Sequence, residues 1–111
     1  MAEGTSLLVY PVKDVAAAKD LFSTLLGTEP YVDSPHYVGF RTGAQEIGLD
    51  PRGDSNGPIA YWETDDIAAR LSELIDAGWQ SRGEPKNVGG GLLVASVVDP
   101  NGNVVGLRQN P

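Results

Sequence analysis

General acid–base work needs a group that can take up a proton at a defined position. This sequence offers one at His36, Glu46 and Asp50, the two carboxylates standing two residues either side of Gly48. No serine, threonine or lysine is placed beside any of them as an activated nucleophile, so no catalytic constellation emerges. With no cysteine there is no thiolate zinc site, thiol nucleophile or disulfide, and a single histidine excludes any metal site built on two imidazoles from one chain. Carboxylates two apart on a strand are ordinarily solvated or paired, as Arg41 across from Glu46 suggests, so a metal held by His36, Glu46 and Asp50 is not expected. The glycines Gly89 to Gly91 present backbone N–H groups that an anion could use, yet they do not lead from a strand into a helix. A flexible loop is expected there, with a lid over a pocket as the functional alternative. Asp99-Pro-Asn-Gly-Asn103 has the composition of a tight hairpin turn.

The elements that must position these residues belong to a chain of 111 residues, the size of one domain with a modest core. Eight basic against fifteen acidic residues give a net charge of -7, which disfavours a phosphate backbone as partner, so no nucleic acid is expected. No apolar run is long enough to span a bilayer, and MAEGTS lacks the basic and apolar segments of a secretory signal; no membrane partner and a cytoplasmic location are the expectation.

A repeat organises the chain. Leu7 to Val12 runs into Asp14 and an Ala-rich amphipathic stretch ending at Leu26-Gly27; 51 positions later, Pro58 to Glu63 runs into Asp65 and a similar stretch ending at Ala77-Gly78. The aspartates are suited to start helices and the glycines to stop them. The apolar residues of the second helix match better if the offset slips to 52. Strand-like runs follow each helix at Pro30 to Val32, His36 to Arg41 and Gln45 to Asp50, then at Trp79 to Arg82, Leu92 to Val98 and Val104 to Gln109. The pattern is βαβββ twice, module one spanning about 5–51 and module two about 57–110 of a single domain, with the junction in the polar stretch Arg52 to Gly57.

With Gly43 and Ala44 at a hairpin tip, Arg41 falls opposite Glu46, Gly39 opposite Gly48 and Tyr37 opposite Asp50. Val38, Phe40, Ile47 and Leu49 then form one apolar face for the helix, and Tyr37, Arg41, Glu46 and Asp50 share the other. A solvated face is the plainer account of those four. Counting from Leu7 and Pro58, alternation puts Val9, Ala60 and Trp62 on that second side and Leu8, Tyr10, Ile59 and Tyr61 against the helices.

The run V-K-D-V-A-A-A-K-D-L-F-S-T-L-L-G from Val12 to Gly27, together with D-P-N-G-N-V-V-G-L from Asp99 to Leu107, resembles the vicinal oxygen chelate superfamily, which includes glyoxalase I, extradiol dioxygenases, and fosfomycin- and bleomycin-resistance proteins. The resemblance covers essentially the whole chain. It implies an α+β fold of paired βαβββ modules, each a curved mixed sheet with a helix on its convex side and a concave cleft face, and a homodimer. Metal-dependent members take ligands from the first and last strand of each module; carried over, those positions are Leu7, Gly48, Pro58 and Gly106, none of which can coordinate through a side chain.

The expectation is therefore a binding protein with no catalytic residues, metal or cofactor, holding a small molecule such as an antibiotic or metabolite. Its ligand-binding residues would be Tyr37, Arg41, Glu46, Gly48, Asp50, Trp62, Ser96, Gly106 and Arg108, with room left by the two glycines. The alternative is a lyase or isomerase of the same superfamily with an unusual metal site or none, using Glu46 or Asp50 as base. A structural or regulatory dimer whose cleft is collapsed by Tyr37 and Trp62 is the third reading.

Overall fold

The computed structural model describes residues 4–53 and 57–111; of the expected junction, residues 54–56 lie outside the described residues. The chain forms two compact units, Ser6–Ala60 and one built on Tyr61–Pro111.

In the first unit, β1 (Thr5–Pro11) leads to α1 (Val15–Leu26), then β2 (Val32–Ser34), β3 (Tyr37–Thr42) and β4 (Gln45–Asp50), in the sheet order β2-β3-β4-β1. β1 runs parallel to β4, and the other pairs are antiparallel. The expected hairpin register holds for Val38 with Leu49, Gly39 with Gly48, Phe40 with Ile47 and Arg41 with Glu46, while Tyr37 pairs with Ser34 and Asp50 with Pro11 on the flanking strands. Helix α1 starts where Asp14 Oδ1 accepts from Ala17 N (3.1 Å) and stops at Gly27, whose φ of 68° a side chain would strain. Its inner face, Val15, Ala18, Phe22 and Leu26, covers Val38, Phe40, Ile47 and Leu49, joined by Leu8 and Tyr10 of β1. This burial of apolar surface holds helix and sheet together.

The second unit repeats the plan: β5 (Ile59–Glu63), α2 (Ile67–Asp76), β6 (Gln80–Ser81), β7 (Lys86–Asn87), β8 (Leu93–Val98) and β9 (Val104–Gln109). The sheet order is β5-β9-β8-β6, with β7 also paired to β8. Ile67, Leu71, Ala95, Val97 and Leu107 form its core. The helix is tied to the sheet by a side chain, since Gln109 Oε1 accepts from Ile67 N at 2.7 Å.

Three local expectations are corrected. The cap of α2 is Asp66, which accepts from Ala69 N at 3.0 Å, because the apolar face begins at Ile67 and the cap must immediately precede it; Asp65 lies one residue early. The second strand of the first unit is Val32–Ser34 rather than Pro30 to Val32. The stretch Gly83 to Gly91 contains strand β7, and Gly89, Gly90 and Gly91, all at positive φ, turn that strand back into β8. Val88 N donates to Leu92 O (2.9 Å) across this turn, so the stretch is a hairpin and neither an irregular loop nor a lid. Asp99 to Asn103 is the expected tight turn: Asp99 Oδ1 accepts from the backbone of Asn101 (2.9 Å) and Asn103 (2.8 Å), and Oδ2 from Asn103 Nδ2 (2.9 Å). These hydrogen bonds, that of the Asn103 side chain foremost, favour the charged carboxylate and hold Asp99 below the usual carboxylate range. No helix among the described residues is long and apolar enough to cross a membrane.

Candidate functional site

The sheet face opposite each helix is the open face, and pairing decides which residues reach it. In the first unit Leu7 pairs with Glu46, Val9 with Gly48 and Pro11 with Asp50, so all six share the open face with Gly39 and Arg41. Cross-strand partners point to the same side of a sheet. Gly39 and Gly48 are therefore a facing pair of residues without side chains, a flat strip of backbone in the middle of the face.

That strip is covered by the protein itself. A Cβ on Gly48 would lie 2.7 Å from Tyr37 Cζ and still closer to its hydroxyl, and a Cβ on Gly39 would meet the rings of Tyr31 and Tyr37, each at 3.3 Å. The room expected above Gly48 holds a phenol. Tyr31 is also fixed at both ends: its hydroxyl donates to Glu46 Oε1, and its backbone N donates to Gly39 O at 2.9 Å. The Arg41 guanidinium carbon stands 4.0 Å from the Tyr31 ring centre, in cation–π geometry. Arg41, Glu46 and Tyr37 are thus brought together around Gly48, with Tyr31 as the link that strand alternation did not reveal. Asp50 is drawn to the strand end, where its Oδ1 accepts from Arg52 N at 2.8 Å. His36 sits in the turn before β3, its backbone N donating to Ser34 Oγ at 3.2 Å.

In the second unit Tyr61 pairs with Gly106, Glu63 with Arg108 and Ser96 with Gly106. Ser96, Gly106 and Arg108 share the open face as expected, but Trp62 does not: it pairs with Leu107, a core residue under α2, and helps line a cavity of about 170 Å³ with Leu74, Trp79, Val105 and Leu107. Tyr61, expected against the helix, is on the open face. The cause is a one-residue slip. Val9 stands opposite Gly48 as Tyr61 stands opposite Gly106, so the first strands, like the helices, are offset by 52 positions, and counting from Pro58 inverts every side chain of β5. The Tyr61 ring lies directly over Gly106, where a Cβ would fall 2.6 Å from Cε1 and 2.7 Å from Cγ. Beside it, Arg108, only 8% exposed, meets Glu63 (Nη1 to Oε1, 3.5 Å), and Glu63 also accepts from Asn110 Nδ2 at 3.2 Å.

The slip also moves one of the superfamily's ligand positions from Pro58 to Ile59. Leu7, Gly48, Ile59 and Gly106 still offer no nitrogen or oxygen donor from a side chain, so these residues do not fit a divalent ion. Among the described residues no three His, Asp or Glu side chains gather closely enough to hold one elsewhere.

The sequence profile of the Glyoxalase/Bleomycin resistance protein/Dioxygenase superfamily matches residues 6–107. Among solved structures, the chain is similar to a variant methylmalonyl-CoA epimerase of Streptomyces coelicolor in complex with 2-nitronate-propionyl-CoA (16% identity, 99% of this chain and 96% of that one, TM-score 0.78). It is also similar to a hypothetical protein of Bacillus halodurans (15%, 96% and 94%, TM-score 0.78) and to a protein described as an NAD-dependent benzaldehyde dehydrogenase from Legionella pneumophila (17%, 95% and 98%, TM-score 0.75). At these identities the likeness is one of fold. No curated protein matches the chain.

Proposed function

Because the chain belongs to the glyoxalase/bleomycin resistance protein/dioxygenase superfamily, we propose that it is a small-molecule binding protein that works without a metal, sequestering an antibiotic or a metabolite on its open sheet faces. In the first unit the ligand would meet Tyr37, Arg41, Glu46 and Gly48, and in the second Ser96, Gly106 and Arg108. Trp62 is left out, as is Asp50, engaged at the strand end by Arg52 N, and Tyr31, Tyr61 and Glu63 join. The observation that carries the reading is that both units cover the glycine at a superfamily ligand position with a tyrosine, Tyr37 on Gly48 and Tyr61 on Gly106, and set an arginine and a carboxylate on the same face, Arg41 and Glu46 around the neighbouring Tyr31 and Arg108 with Glu63 beside Tyr61. Flat apolar surface flanked by a few fixed charges suits a ligand with apolar and polar parts.

The test is a thermal-shift screen of small molecules, each hit mapped by amide chemical shifts. Hits should perturb Gly39, Gly48 or Gly106; hits that gather in the Trp62–Trp79 cavity would overturn the proposal. A homodimer is proposed as well, supported by Leu21 and Leu25, which lie one turn apart on α1 and are 71% and 73% exposed. A sedimentation experiment finding only monomer at micromolar concentration refutes it.

The contact between the Tyr31 hydroxyl and Glu46 favours a second reading, a lyase or isomerase in which Glu46 takes up and returns a substrate proton. Turnover abolished by Glu46→Gln, with ligand binding retained, would establish it over simple sequestration.

A further inference from the structure

The side chain of Tyr31 sits as a ligand would. It reaches the open face from the bend before β2, outside regular strand, and is 44% exposed. Beneath the ring is the backbone of Gly39, with no side chain between. The Arg41 guanidinium carbon stands over the ring, 4.0 Å from its centre, and at its tip the hydroxyl donates a hydrogen bond to the Glu46 carboxylate. A bare stretch of backbone against the ring, a cation over it and a terminal acceptor together are the parts of a binding site for a phenol.

The hold is of a kind that can be released. The backbone of Tyr31 is pinned separately, through its N–H to Gly39 O, so rotation about the side-chain bonds lifts the ring without moving the sheet. Tyr37 lies against the other side of Gly39 and would form a wall of the space so opened.

We infer that the Gly39–Arg41–Glu46 pocket is a subsite for a phenolic ring, occupied in the free protein by Tyr31, which an incoming aryl ligand bearing a hydroxyl displaces. The inference rests on the open-face reading above and narrows it to a ligand class. It also makes the free protein partly self-inhibited, since the apparent affinity is the intrinsic one multiplied by the fraction of time Tyr31 is swung out.

The probe is 4-methylphenol, the tyrosine side chain cut at its Cβ, titrated by calorimetry and by the amide shifts of Gly39 and Gly48. Tyr31→Ala should bind it roughly tenfold or more tightly than the parent, the vacated space no longer being contested. Tyr31→Phe, which keeps the ring but gives up the tie to Glu46, should fall between the two. In the Tyr31→Ala background, Arg41→Ala and Glu46→Gln should each remove most of the gain, and 4-methylanisole, which has no donor, should bind more weakly than 4-methylphenol. Equal affinity of the parent, Tyr31→Phe and Tyr31→Ala overturns the inference, as does a gain indifferent to Arg41 and Glu46. Should screen hits map to Gly39 and Gly48 while these variants show no gain, the phenol subsite fails and the wider binding proposal stands. Should hits map elsewhere, that proposal fails on its own screen.

Discussion

Replacing Gly106 by alanine places a methyl group where the Tyr61 ring already is. The new Cβ would stand 2.6 Å from Cε1 and 2.7 Å from Cγ, about 1 Å inside ordinary contact. Cγ is the base of the ring, so turning the ring about its own axis gives no relief. Tyr61 and Gly106 are also register partners, each held by the strand ladder. Either Tyr61 leaves its rotamer or the strands part, and overpacking of this kind costs about 1–3 kcal/mol. For a chain of this length that corresponds to a fall in Tm of roughly 5–12 °C.

The same substitution made in a Tyr61→Ala background should change sign. With the ring gone the methyl meets open space, and alanine is favoured over glycine in a strand by about 0.5–1 kcal/mol through the entropy of the unfolded chain. Urea denaturation followed by the fluorescence of Trp62 and Trp79, which share a cavity in this unit, reads all four corners of the cycle. Gly48→Ala is the internal control. There the methyl meets the hydroxyl end of Tyr37, which can tilt away, so the loss should stay below about 1 kcal/mol. A Gly106→Ala protein as stable as the parent, or a cycle with no coupling, would refute the idea that glycine is required under the ring.

Asp66→Ala should cost about 1 kcal/mol in thermal or urea unfolding and Asp65→Ala nearly nothing, because only Asp66 caps α2. Asp99→Asn should lower the Tm at neutral pH; the carboxyl is held below its unfolded value, so its contribution is complete above the ordinary carboxylate range and disappears as pH falls through the lowered native value. The gap between variant and parent should therefore close in acid. Trp62→Ala should destabilise by about 2 kcal/mol in urea while leaving open-face ligands bound as in the parent, since the indole packs on the α2 side with Leu107. Chelator should leave the Tm unchanged, and a transition metal retained through dialysis at unit stoichiometry would contradict the metal-free reading.

The hairpin from Tyr37 to Asp50 was legible residue by residue because each of its strands alternates apolar with polar or glycine, and its two-residue tip allows one register. Strand β5 carries no such signal. Ile59, Ala60, Tyr61 and Trp62 are all apolar, so alternation cannot say which of them face the helix, and a one-residue slip in the repeat went uncorrected there. The helix offered the correction: two adjacent aspartates precede it, and only the apolar period starting at Ile67 distinguishes them. Glycine at the superfamily's ligand positions was visible, but its meaning was not. A missing side chain reads as space until the partner strand is known, and here the partners are Tyr37, on the strand facing Gly48, and Tyr61, directly opposite Gly106. Tyr31 escaped because it precedes β2 in a bend, where the two-residue period does not apply.

The bond from Gln109 to the first turn of α2 bears on the order of events during synthesis. It spans 42 positions, and the strand that supplies it also joins β5 to β8. Until β9 has been made, β5 and β8 have no common neighbour and the amide of Ile67 lacks this acceptor, so the second unit cannot close progressively as its chain emerges. The first unit closes by the same rule, on β4, which joins β1 to β3, but that strand is complete at Asp50. Contacts between residues distant in sequence form slowly, and on a ribosome a native-like first unit should precede an open second unit whose apolar strand Leu93–Val98 waits for β9.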